Sequence, residues 1–420
     1  MSKRWTQFAS AVIAMIMIAN LQYAWTLFVK PMQADTHWRL ADIQWAFTLF
    51  IFFETWITPV EGWLIDRLGP RIFLSLGGVL VGVGWTSIAF AHSLMQLYVL
   101  YSVAGVGAAF IYSGSVATAL KWFPDKRGTV SGFITAGFGA GAALFIPFIE
   151  YLIKHANYRT AFLYTGIVQS LLILIVAQVL HNPGADFQVS ATAKKPVSPK
   201  LRRNSQQFNS WEMLLTPHFY LLYVTFVMIS VGGLMLTAQG GPVAESFKIS
   251  AAALTAALAS SRLSNGAGRI FWGWLSDRIG REMAMFIPFV LQAFSLLAML
   301  WVGRLSGTWF NICLVIVYFI WGSMFSLFPA IIGDYFGADN ATSNYGFLYT
   351  AKGVASILGG GTAAWLFQRF GNWNWVFYGS AGLAIVSCML VLVLRNLPLP
   401  ARFRAEDLLP EASVSGKMAV

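Results

Sequence analysis

Apolar residues run along the chain in twelve stretches, at approximately 7–29, 41–65, 71–91, 95–120, 128–152, 159–181, 217–240, 249–275, 281–303, 308–333, 344–367 and 374–396, with short polar turns between them. Each stretch is close to the roughly 20 residues that an α-helix needs to cross a bilayer core of about 30 Å, so the pattern predicts an all-α membrane protein of twelve spanning helices. One polar interval is long. His181 to Thr216 holds Asn182-Pro183-Gly184, Lys194-Lys195-Pro196 and Leu201-Arg202-Arg203 and no hydrophobic period. It reads as a flexible linker with a short helix near Ser210 to Leu215. The expected organisation is a six-helix bundle over 1–181, a linker over 182–216, a second six-helix bundle over 217–396 and a tail over 397–420.

The two halves echo each other. Gly62-Trp63-Leu64-Ile65-Asp66-Arg67-Leu68-Gly69-Pro70-Arg71 follows the second stretch, and Gly273-Trp274-Leu275-Ser276-Asp277-Arg278-Ile279-Gly280-Arg281 follows the eighth. A fainter echo joins Lys121-Trp122-Phe123-Pro124-Asp125 after the fourth stretch to Asp334-Tyr335-Phe336-Gly337-Ala338 after the tenth. Two motifs recurring at nearly one spacing indicate a duplicated six-helix unit.

Composition agrees: 57% of residues are hydrophobic and only 11% charged, against about 25% charged in soluble domains. The +11 formal charge does not form a basic face for nucleic acid; it sits in the turns. Most of the 28 Lys and Arg lie on the side of the two termini, which places both termini in the cytoplasm and the chain in the cell's inner membrane. Ser2-Lys3-Arg4-Trp5 leads straight into a stretch of full spanning length, so the first helix is expected to be retained. Cys313 and Cys388 have neither zinc-like nor redox spacing and read as packing residues. No phosphate-binding glycine loop, nucleophile–base constellation or metal-ligand cluster is visible, and His37, His92, His155, His181 and His218 stand at segment edges or in loops. Neither an enzyme nor a cofactor is expected, and nothing calls for a second copy beyond a monomer.

Charges inside the apolar stretches carry the candidate chemistry. Arg269 lies eight residues inside the boundary at Asp277, a depth of about 12 Å. Lys352 lies eight residues past Asn344 in a stretch of opposite direction that contains no acid. Two cations at one depth on antiparallel helices point to an anion site near the bilayer midplane; a structural ion pair or snorkelling to the headgroups is the plainer account. Arg262, seven residues before Arg269, shares its helix face about 10 Å nearer the far side, and Glu54 is a carboxylate inside the second stretch. The preferred expectation is that Glu54 and Arg262 compensate each other or form an outer gate, which leaves Arg269 and Lys352 without a protein counter-ion. The competing expectation is that Glu54 neutralises Arg269 or carries a proton.

The duplicated G-x-L-x-D-R-x-G-x-R loop, with the helix count, linker and repeat, resembles the major facilitator superfamily over the whole chain. The resemblance implies two six-helix bundles rocking about a central site. Asp66, Arg67, Arg71, Asp277, Arg278 and Arg281 would then latch one state of the carrier, the acids accepting hydrogen bonds from a helix start and the arginines anchoring at the headgroups. A narrower resemblance rests on Gln22-Tyr23-Ala24-Trp25-Thr26-Leu27-Phe28, Lys121 to Gly128, Arg269, Trp321-Gly322 and Asn344-Tyr345-Gly346-Phe347 with Lys352. These are similar to the oxalate/formate antiporter family. That likeness implies Arg269 and Lys352 gripping the two carboxylates of oxalate inside an aromatic box of Tyr23, Tyr112, Trp321, Phe325 and Tyr349, with Gln22 lining the site beside Tyr23. Two positions depart from that family's pattern: Phe325 replaces a tyrosine, and Tyr349 a tryptophan.

A site with two cations and no acid favours exchange, because an empty carrier closing around uncompensated charge is penalised in a low-dielectric surround. The expected activity is secondary transport of small carboxylates, oxalate against formate. The alternative is a proton-coupled carrier of lactate, pyruvate or formate with Glu54 as its proton site. A membrane sensor without flux is a further class, disfavoured by the short tail after Arg395.

Overall fold

The computed structural model describes residues 3–123, 127–184, 201–337 and 339–401, with backbone alone at 62, 63, 66 and 127–129. The Asp66 side chain, linker residues 185–200 and tail residues 402–420 lie outside the described residues. Every described regular element is helical: α1 (Lys3–Tyr23), α2 (Trp25–Thr36), α3 (Leu40–Trp56), α4 (Thr58–Ser87), α5 (Leu94–Trp122), α6 (Arg127–His155), α7 (Tyr158–Val179), α8 (Ser210–Leu214), α9 (Pro217–Ser246), α10 (Ala251–Ile279), α11 (Arg281–Trp301), α12 (Gly307–Trp321), α13 (Met324–Phe336), α14 (Ala341–Ile357), α15 (Ala363–Phe370) and α16 (Asn374–Asn396). Five of the long helices start on a side-chain cap, with Ser93, Asn157, Thr216, Ser250 and Ser306 each accepting a backbone N–H of the first turn. Such caps contribute about 1 kcal/mol each and fix where the chain stops being loop.

Ten stretches of helix among the described residues are long and apolar enough to cross a membrane. The two further stretches expected to span, at 249–275 and 344–367, are helical but fall outside that group, for a chemical reason. Arg262, Arg269, Asn265 and several serines dilute α10. Lys352 sits in α14, which runs only 17 residues before a π-helical turn at Leu358–Thr362. The helices predicted at 41–65 and 71–91 are divided at Gly69, whose φ of 73° only glycine adopts without strain, and Gly280 makes the matching corner between α10 and α11 with φ 93°.

Helices α1, α3, α4, α5, α6 and α7 pack among themselves, as do α9 to α12, α14 and α16; the two groups meet along α6/α10, α3/α14, α4/α14 and α2/α9. At the end of the bundle remote from the termini, Lys30 pairs with Glu245, the Thr26 hydroxyl accepts the Gly241 N–H, Gln44 donates to the Ala238 carbonyl at 2.8 Å and Thr48 donates to the Ser356 carbonyl at 3.0 Å. Polar contacts therefore seal that end.

At the opposite end the structure corrects two expectations. Arg281 does not anchor at the headgroups: it is buried, with Nε donating to Asp334 at 2.7 Å and Nη1 to Asp277 at 2.8 Å. Its reach back across the Gly280 corner finds the acid of the echo motif on α13, so the two repeated motifs of the second half are tied directly. Arg278 stays exposed against the Trp274 ring at 3.8 Å, and Arg67 and Arg71 are exposed. The last part of the linker is also no loose tether. Phe208 is fully buried with its N–H on the Phe336 carbonyl, Arg203 pairs with Asp334 at 2.9 Å, and the predicted short helix appears as α8 behind an Asn209–Glu212 capping box. Asp334→Asn is expected to lower stability by about 1–3 kcal/mol, seen as a lower unfolding midpoint in detergent. Arg39→Ala, which breaks the exposed Arg39–Asp42 pair, should cost less than about 1 kcal/mol.

Candidate functional site

Among the described residues, helical stretches are interrupted at Ala24 between α1 and α2, at Gly322-Ser323 between α12 and α13, at the π-helical turn after α14, and also at Ile57 between α3 and α4. Irregular backbone at membrane depth is tolerated where protein surrounds it, and such breaks mark transport sites. Gln22 and Tyr23 lie just before the first break, Trp321 and Phe325 flank the second, and Lys352 stands one and a half turns before the third.

Arg269 is buried at the α6/α10 contact. Its Nη1 donates to the Thr135 carbonyl at 2.8 Å, Nη2 to the Tyr23 hydroxyl at 3.1 Å and Nε to Asn265, one helical turn earlier, at 3.2 Å. The guanidinium carbon lies 4.1 Å from the Phe325 ring centroid and 5.8 Å from that of Phe138. All its partners are neutral.

Lys352 is fully buried and donates to Gln22 at 2.9 Å, to the Tyr349 hydroxyl at 3.2 Å and to Glu54 at 2.8 Å. This overturns the expectation that Lys352 lacks a protein counter-ion and that Glu54 and Arg262 compensate each other. The cause is packing. Next to Lys352 stands Gly353, where a Cβ would collide with Thr55 and Trp56; the missing side chain lets α14 close on α3, and Glu54 on α3 then faces Lys352. Arg262 faces elsewhere, between the Tyr318 ring at 3.9 Å and the Tyr23 ring at 4.7 Å.

Aromatic side chains connect the two cations. Lys352 Nζ is 6.0 Å from the same Phe325 ring that Arg269 covers. Trp321 stands edge-on to Phe325 at 5.0 Å, and Tyr112 stacks on Tyr349 at 6.1 Å with 16° between planes. Thus Arg269, Lys352, Gln22, Tyr23, Tyr112, Trp321, Phe325 and Tyr349 all fall in one contiguous cluster. Three buried groups around it keep N–H or O–H donors without an acceptor among the described residues: Gln22 Nε2, Trp321 Nε1 and the Tyr345 hydroxyl. Unsatisfied buried donors suit a small ligand rich in acceptors.

The sequence reading did not include Asn265, Thr135, Phe138, Tyr318 or the buried acid Glu61, and it gave Tyr345 no place in the site. Asn265 had a signal, one helical turn from a buried arginine. Thr135 had none, since it contributes a backbone carbonyl.

The model of the Major Facilitator Superfamily matches residues 10–360 and 222–417. An oxalate:formate antiporter of Oxalobacter formigenes is 38% identical over 390 residues, covering 93% of this chain and 91% of the relative. An uncharacterized MFS-type transporter, YhjX, of Escherichia coli is 25% identical over 84% of this chain and 86% of its own length. Monocarboxylate transporter 12 of Xenopus laevis is 24% identical over 86% and 83%. With its broken helices, its repeated corner motif and a family match from one end to the other, this chain belongs to the Major Facilitator Superfamily.

Proposed function

We propose that the chain exchanges small carboxylate anions by alternating access, with oxalate against formate as the leading pair. It would cross the inner membrane twelve times, as two six-helix halves joined by a cytoplasmic linker, with both termini in the cytoplasm. A single chain suffices, because the whole cluster comes from one chain's helices. The observation that carries the reading is Arg269: a buried guanidinium held by neutral groups only, beside a lysine, inside an aromatic box, at the centre of a chain 38% identical to an oxalate:formate antiporter.

Arg269 offers a planar fork to one carboxylate and Lys352 a point charge to another. The water-poor aromatic surround strengthens both interactions. Glu54 changes the charge balance from that expected, since in the resting cluster it occupies the ammonium that an anion would use. An arriving carboxylate therefore competes with Glu54 for Lys352, and release of the anion lets Glu54 return. The empty site is less strongly charged than a bare cation pair, yet Arg269 still makes it cationic, which keeps the loaded form the easier one to reorient.

The Glu54–Lys352 pair also favours a second reading, a proton-coupled monocarboxylate carrier in which Glu54 takes the proton. Counterflow separates the two. Proteoliposomes loaded with unlabelled oxalate or formate should accumulate labelled oxalate with no pH gradient, and empty vesicles should not. Uptake of lactate, pyruvate or formate into empty vesicles, driven by a pH gradient and indifferent to internal anion, would replace the exchange reading with the proton-coupled one.

A further inference from the structure

We propose that Arg262 holds a second carboxylate anion, on the side of Tyr23 away from Arg269, so that the carrier has two anion stations along α10; this rests on the anion-exchange reading above. The Arg262 side chain has no exposed surface, and none of its three nitrogens meets a hydrogen-bond acceptor among the described residues. The Tyr318 and Tyr23 rings, at 3.9 and 4.7 Å, attract the cation. They satisfy charge in part, but they do not engage the N–H fork. A buried donor left without an acceptor destabilises the folded chain, and a guanidinium cannot escape by losing its proton. A carboxylate brings both the negative charge and the paired acceptors that a fork requires.

The neighbours support this assignment. Glu54, the acid expected to serve Arg262, is engaged by Lys352 at 2.8 Å instead. Arg262 and Arg269 share one helix face seven residues apart, about 10 Å of axial rise between their backbones. Their guanidiniums contact the Tyr23 side chain at different places, Arg262 at the ring and Arg269 at the hydroxyl, so they act as separate stations. Tyr23 belongs to both, its hydroxyl accepting from Arg269 at 3.1 Å and its ring lying against Arg262. A swing of this one side chain would connect them.

The test is equilibrium binding of labelled formate to the purified full-length protein, with exchange measured in parallel. Wild type should bind two formates per chain. Arg262→Gln should bind one, with the remaining affinity within about threefold of the first wild-type site, and Arg262→Lys should bind two with the second weakened tenfold or more. The lysine variant keeps the test available if the glutamine variant does not fold. One formate per wild-type chain, or two in Arg262→Gln, overturns the second station while leaving exchange standing. No bound formate together with no counterflow overturns both.

Discussion

Arg269→Gln is expected to reduce anion exchange in proteoliposomes by about 100-fold or more while leaving the protein folded. The wild-type guanidinium reaches α1, α6 and its own helix by three hydrogen bonds, all to neutral acceptors. Glutamine can keep one or two of them but supplies no charge. A charge-assisted interaction with a carboxylate contributes about 1.5–3 kcal/mol; losing about 3 kcal/mol corresponds to roughly two decades in affinity. Folding should survive because no buried acid is left behind: no carboxylate among the described residues pairs with Arg269. Arg269→Lys should not rescue exchange, since an ammonium cannot span Thr135, Tyr23 and Asn265 together. Near-normal exchange by Arg269→Gln would remove the anion-site assignment.

The Glu54–Lys352 pair gives the second large effect, with a different pattern. Lys352→Gln strands a buried carboxylate, and breaking a buried pair from one side costs about 3–5 kcal/mol. That variant should therefore lose both exchange and thermal stability. Glu54→Gln leaves the buried Lys352 ammonium without its acid, so it should also lose stability in the empty state, but it should bind oxalate more tightly, by tenfold or more, because the competitor for the ammonium is gone. The double variant Glu54→Gln/Lys352→Gln should recover most of the stability lost by Lys352→Gln alone and none of the exchange. Stability of the four proteins forms a double-mutant cycle, and a coupling below about 0.5 kcal/mol would mean that the 2.8 Å contact contributes little. Transport by Glu54→Gln also discriminates between mechanisms: loss of pH-driven uptake would identify Glu54 as the proton carrier, whereas retained counterflow supports competition for Lys352.

Lys352 shows how far sequence reasoning reached. A lysine in a stretch without an acid was recognisable as a buried cation, and its depth matched that of Arg269. Its partner was not recognisable, because Glu54 lies 298 positions away in the chain. Whether α3 and α14 touch depends on small residues such as Gly353 at the crossing. Arg281 repeats the lesson. Its place after a spanning helix suggested a headgroup anchor, yet the Gly280 corner turns it inward onto Asp334.

The sequence by itself determined that this chain is helical and membrane-embedded, where most of the apolar helical stretches lie, and that Arg262, Arg269 and Lys352 fall inside them. Those properties follow from local hydrophobic period, capping residues, glycine corners and the cost of charge in hydrocarbon, and each can be read within a few turns of chain. Only the tertiary structure decided which cation is paired and which is not, because that depends on the rotation and approach of helices far apart in sequence. It gave Glu54 to Lys352, left Arg269 to neutral partners and placed Arg262 between two tyrosine rings.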